Sequence, residues 1–171
     1  LSLDALPTFV EFPRDSQWAG NLETNMPALS RAGLGAKVRC GGLETKAFPS
    51  PEELATFIQC AGDADVPFKA TAGLHHPIRH LDAATGFMMH GFLNLLAASA
   101  LALAGAGREN IVEALEAVNT SHFYFDDRGF GFDHYRFGIT DLKVTRTRAF
   151  VGYGSCSFSE PVQDLRALNI L

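Results

Sequence analysis

Residues 66–80 read VPFKATAGLHHPIRH. An apolar, β-leaning run ends in a lysine, a threonine and a glycine, and three histidines and an arginine follow within eleven positions of the lysine. The stretch predicts a strand over 66–73 closed by Gly73, with a polar loop at its carboxyl end. The same pattern recurs along the chain. TFVEFP (8–13) predicts a strand stopped by proline, GAKVRCGG (35–42) a second closed by two glycines, and FVGYGSCSF (150–158) a last one running into a glycine turn.

Helical signals lie between these runs. NLETNMPALSRAG (21–33) predicts a helix ending at Gly33 with Pro27 in its first turn. Ser50, Pro51 and Glu53 form a capping-box signature for a helix over about 51–62. A helix opens near His90, and Ile111, Val112, Leu115 and Val118 share a helical face over 108–119. Within the first of these, the small residues Ala97, Ala98, Ser99 and Ala100 predict close packing on the sheet. Residues 122–138 alternate aromatic and polar positions around Asp127-Arg128-Gly129, which predicts a hairpin or an ordered flap. It serves either as core packing or as an aromatic lid over a small ligand. Thr140 is expected to cap a helix through about 149, and Ser159 a closing helix with Pro161 in its first turn. The order strand, helix, strand, helix predicts a single α/β domain over 1–171. About four parallel strands alternate with helices, resembling a half or partial TIM (β/α) barrel. Four strands cannot close a barrel alone, so the exposed edges call for a homodimer or for covering by a missing N-terminal portion.

Composition narrows the class. Hydrophobic residues make up 47% of the 171 and charged residues 19%, which excludes a disordered chain. The net charge of −5 and the absence of basic runs give no footprint for nucleic acid. The longest apolar stretch, 92–107, contains Asn94 and Ser99 and turns to glycine early, so no membrane span is expected. Three widely spaced cysteines, Cys40, Cys60 and Cys156, read as reduced thiols in a cytoplasmic protein rather than a disulfide framework. No CxxC pair or HExxH spacing is present, and no cofactor or metal is assigned.

Sites in parallel α/β folds form beyond the carboxyl ends of the strands. There this chain places Glu11; Lys37 and Arg39; Lys69 and Thr71, followed by His75, His76, Arg79 and His80; and Ser155 and Cys156. Side-chain alternation puts Lys37 with Arg39 on one face and Lys69 with Thr71 on one face. If these faces meet, the cations repel unless an anion or Glu11 lies among them. The bland reading is an ion-pair network at strand ends. The functional reading is a pocket for a small carboxylate or phosphate, gripped by Lys37 and Arg39. In that pocket Lys69 acts as a Schiff-base nucleophile or acid/base, since an amine beside other cations gives up its proton more readily.

The remaining candidates carry their own alternatives. His75 and His76 are proton carriers or capping loop residues. Pro77 holds His76 extended, so at most one of the pair is expected to reach a common site. His90 and Asn94 share a helical face and are either site residues or helix-start hydrogen-bonding groups. Arg79, Thr71 and Ser155 are assigned to substrate binding, as is Cys156, whose glycine-rich turn exposes N–H groups able to cradle an anion. A metal held by His80, Glu11 and His75 or His76 is a further alternative.

The run KATAG after VPF resembles the end of the lysine-bearing strand of class I aldolases of the deoxyribose-phosphate aldolase type. The resemblance covers about eight residues and implies a TIM-barrel context and Schiff-base formation at Lys69. Leu-His-His-Pro follows the glycine here instead of a phosphate loop. The combination KVRCGG, FKATAGLHHPIRH, HGFLN and GSCSFSEPVQDL is also similar to a group of bacterial proteins without an assigned activity. In these the matching part is the later portion of a longer chain. The expected function is thus an aldolase-like lyase acting on a small anionic carbonyl compound. The alternatives are a non-catalytic metabolite-binding or assembly domain and a metal-dependent lyase or hydrolase.

Overall fold

The computed structural model describes residues 6–170. Leu171, the last residue of the expected closing helix, lies outside them. The centre is a four-stranded parallel sheet of β1 (Phe9–Glu11), β2 (Gly35–Arg39), β3 (Phe68–Thr71) and β9 (Phe150–Tyr153), paired in that order. The expected parallel α/β class is therefore observed.

Alternation along the strands separates two faces. Ala36, Val38, Phe68, Ala70 and Phe150 are buried, each at most 3% exposed. They face α1 (Trp18–Ala32), α2 (Pro51–Asp63) and α3 (Phe92–Leu103). Phe57 of α2 meets the Phe68 ring edge-on at 5.2 Å, and Phe92 of α3 stacks on Tyr153 at 4.8 Å. Strands laid down in chain order through right-handed crossovers send every connecting helix to the same side. The opposite face carries Glu11, Lys37 and Lys69 in one row across β1, β2 and β3, with Gly152 completing it on β9.

Helix ends follow local chemistry. Ser50 Oγ accepts from Glu53 N–H at 3.2 Å and the Glu53 carboxylate accepts from Ser50 N–H at 2.7 Å, so the capping box is present with Pro51 at its first position. Helix α1 begins at Trp18, earlier than expected, which leaves Pro27 in its interior rather than its first turn. Its buried stripe of Trp18, Leu22, Met26 and Leu29 outweighs the lost hydrogen bond. Gly33 ends the helix in the left-handed region, φ 66°.

The connection from β3 to β9 differs most from expectation. His80–Leu81 (β4) and Met88–Met89 (β5) form a short antiparallel pair before α3. Helix α3 is buried on all sides from Phe92 to Leu101, and its small residues let it pack along α4 (Arg108–Glu116) as well as β9. The aromatic segment is a three-stranded antiparallel meander rather than a hairpin: β6 (Phe123–Asp126), β7 (Gly129–Phe132) and β8 (Tyr135–Gly138). Phe123, Phe130, Phe132 and Phe137 form its buried side. At Gly131 an added Cβ would fall 1.7 Å from the Tyr124 ring, whose hydroxyl donates to Tyr135 O. Asp141, not Thr140, caps α5 (Ile139–Val144) by accepting from Gly138 N–H at 2.8 Å. A π turn, Thr145–Ala149, then leads into β9. Helix α6 (Ser159–Ala167) is capped by Ser157, whose Oγ accepts from Glu160 N–H, so Ser159 is its first helical residue and Pro161 its third. No helix among the described residues is long and apolar enough to cross a membrane.

Candidate functional site

The carboxyl ends of β1 and β2 open into a cleft of about 470 Å³ between the sheet and the loop 42–47. Glu11, Lys37 and Arg39 project into it from the open face, joined by Arg14, Glu44 and Lys46. Glu11 Oε2 binds Lys37 Nζ at 2.5 Å, while Oε1 lies 3.5 Å from Arg39 Nε. Burial works to raise the Glu11 carboxyl. The Lys37 hydrogen bond and the Lys37 and Arg39 charges outweigh it and hold the group below its ordinary value. Arg14 is committed to Glu53 at 2.7 Å, and Lys46 to Glu44 at 2.8 Å. That leaves two cations, Lys37 and Arg39, sharing one carboxylate. Arg39 is half-exposed, 54% at the side chain, and its terminal guanidinium nitrogens make no hydrogen bond among the described residues. Leu43 at the rim is 98% exposed.

Lys69 lies on the same sheet face as Lys37 and pairs with it in register, yet it does not line the cleft. Its ammonium sits 4.5 Å from the centre of the Phe9 ring, which itself covers Gly35. Thr71, paired with Arg39, places its Oγ1 3.5 Å from Val38 O.

The histidines form a second group. His75 Nδ1 is 3.2 Å from Ser155 Oγ and 3.3 Å from Glu160 Oε2, and His76 Nδ1 is 2.6 Å from Asp164 Oδ2. Both side chains therefore reach α6, where residues 160 and 164 stand one turn apart. They meet different partners there, and neither lines the cleft. Ser155 and Glu160 share the same ring nitrogen, so the trio lacks the through-ring relay of a hydrolase triad, which needs nucleophile and acid on opposite nitrogens. His80 donates through Nδ1 to Ile78 O at 3.0 Å and packs edge-on against His76 at 4.5 Å. Glu11 is held by cations on the other side of β2. The trio expected for a metal does not assemble, and among the described residues no group of three or more His, Cys, Asp or Glu side chains is placed to hold one.

His90 and Asn94 are both 0% exposed. His90 Nε2–H donates to Pro49 O at 2.7 Å, and Nδ1 accepts from Arg79 Nη1 at 3.0 Å. Asn94 Oδ1 accepts from Arg79 N–H, and Nδ2 donates to Ala114 O and Ala117 O, each at 2.8 Å. His90, Asn94 and Arg79 thus tie the loop after β3 to α4 and to the turn before α2, apart from the cleft. Cys156 is exposed, whereas Cys40 is fully buried and burial pushes its thiol up to about 12.

Two contributors escaped the strand-end pattern. Lys46 sits in a loop without periodicity. Asp164 had a signal, its spacing of four from Glu160, but nothing local indicates that a histidine 88 residues earlier, His76, meets it. The aromatic meander lines no part of the cleft. A scan against protein-family models, a search of curated proteins and a search of solved structures each found no match for this chain.

Proposed function

We propose that the protein binds a small carboxylate or phosphate metabolite in the cleft at the carboxyl ends of β1 and β2. The sheet acts as half of a (β/α) barrel, and its three unpaired thiols suit a cytoplasmic setting. The observation that carries the reading is the imbalance at the cleft: Lys37 and Arg39 share Glu11, and the guanidinium fork of Arg39 takes no hydrogen bond among the described residues. A planar anion takes two parallel hydrogen bonds from such a fork, and the neighbouring ammonium adds a point charge. Calorimetric titration with inorganic phosphate, a 2-oxo acid and a sugar phosphate is expected to find a ligand among them. Arg39→Met should weaken its binding at least tenfold, about 1.4 kcal/mol. Unchanged affinity in both Arg39→Met and Lys37→Met would remove the cleft from the binding site.

The second reading makes the protein an aldolase-like lyase. Its support is the placement of Lys69, in register with Lys37 and packed on an aromatic ring. The Lys69 amine would add to a substrate carbonyl and expel water to form an iminium, with His75 and His76 moving protons. Borohydride reduces an iminium to a stable amine, so incubation with a small 2-oxo acid and borohydride should add the ligand mass less one oxygen atom in the wild type. Lys69→Met should give no adduct, and an adduct surviving in that variant ends this reading.

A further inference from the structure

The cleft at the ends of β1 and β2 has two kinds of wall. Glu11, Lys37 and Arg39 line it with charge, while Phe12, Trp18, Val38, Leu43 and Ala47 supply apolar surface to the same space. Local structure fixes the apolar walls. Trp18 opens α1 and stacks on Phe57, with ring centroids 6.2 Å apart and planes 7° from parallel, so the indole is held in place. Phe12 follows β1 directly and packs against the core, half-buried. At Gly42 an added Cβ would fall 2.6 Å from Ala47 Cβ, so the missing side chain lets the loop 42–47 fold tightly on itself beside Leu43.

We infer that the anion held by Lys37 and Arg39 carries an apolar body, an aryl or branched-alkyl group, that packs against Phe12, Trp18 and Leu43. This rests on the anion-binding reading above, which supplies the head group that orients the rest. Size is the first support. A cleft of about 470 Å³ falls among those that take ligands of drug size. The five or six heavy atoms of phosphate or of a three-carbon 2-oxo acid, at about 30 Å³ for each water-sized unit, fill less than half of it.

Chemistry decides what fills the remainder. The hydroxyls of a sugar need hydrogen-bonding partners, and the other charged side chains of the cleft are engaged with one another. Arg14 binds Glu53 at 2.7 Å, and Lys46 binds Glu44 at 2.8 Å. A hydroxyl set against Phe12, Trp18 and Val38 would lose water without a replacement bond. An aryl or branched-alkyl group gives up nothing polar there. It also covers surface that is still wet, since Phe12 is only half-buried and Leu43 is 98% exposed. A lone exposed leucine is ordinary on a protein surface. Leu43 differs in lining one cleft together with two cations and a fixed indole.

Calorimetry of the whole chain with matched probes tests it: pyruvate against phenylpyruvate, and inorganic phosphate against phenyl phosphate. In the pair whose head group binds, the phenyl member should bind at least about tenfold tighter, with a more negative heat-capacity change. Leu43→Ser should cut that advantage at least about threefold and leave the affinity of the parent ion unchanged. The side chain is 98% exposed, so the fold is spared, and circular dichroism checks this. Arg39→Met should weaken both members together. Equal affinities within the pair, or an advantage that Leu43→Ser leaves intact, overturn the apolar body; weakening of both members by Arg39→Met then still upholds the head-group reading. Affinities unchanged in both Arg39→Met and Lys37→Met, or no binding of any of the four probes, remove the head group and the apolar body with it.

Discussion

Asn94→Ala is expected to lower the unfolding free energy by about 3–5 kcal/mol, because three backbone groups, one buried and two part-buried, lose their partner at once. The side chain is 0% exposed and holds Arg79 N–H, Ala114 O and Ala117 O, all at 2.8 Å. Each stranded group costs about 1–3 kcal/mol, and water has no ready route to replace the amide at the head of a helix buried on all sides. A domain of this size has about 5–15 kcal/mol in total. The variant should therefore melt about 10 °C lower, and the loss should appear as a fall in the urea midpoint at an unchanged slope. Asn94→Asp should be no milder. Its carboxylate keeps the bond to Arg79 N–H but sets negative charge against two carbonyl oxygens. A loss under about 1 kcal/mol in Asn94→Ala would mean that the loop after β3 and the end of α4 are tied by something else.

What the sequence disclosed, and what it hid, follows the range of the interactions. The capping box at Ser50 and Glu53 spans three residues and was readable as written. So were the four glycine- or proline-closed strands, because a parallel strand between helices is a short apolar run with polar residues at its end. The pairing of Lys37 with Arg39 followed from alternation alone. The β4–β5 pair has two residues on each side, too few to leave a periodicity. Pro27 inside α1 is tolerated for a tertiary reason, the apolar stripe on either side of it, that local propensity does not contain. His90 and Asn94 were visible as polar residues on one buried helical face. Their targets are backbone groups of Pro49, Arg79, Ala114 and Ala117, which no residue identity announces. The same limit separated Lys69 from the cleft: alternation set its face, but only the position of Phe9 over Gly35 set where its ammonium goes.

His90 should make stability fall steeply with acid. Nε2–H donates to Pro49 O, and Nδ1 must stay unprotonated to accept from the Arg79 guanidinium. Burial, together with the Arg79 charge, lowers the imidazole to about 4 against an ordinary value of 6.5. The hydrogen bond to Pro49 works in the other direction and is outweighed. The folded value is the depressed one, so below about pH 6.5 the unfolded chain takes up a proton that the folded chain refuses. Stability is complete above that pH, declines as the pH falls towards 4, and loses nothing more to this group below it. The difference of about 2.5 pH units corresponds to about 3 kcal/mol. Urea titrations at pH 7, 6, 5 and 4.5 measure the slope, and a His90→Gln chain isolates it, since every other acid and base is common to both. Although less stable at pH 7, His90→Gln should lose less on acidification, and the two curves should converge as pH 4 is approached. Parallel curves would show that the folded chain accepts the proton, and hence that the ring can leave Arg79 and reach water without the helix coming apart.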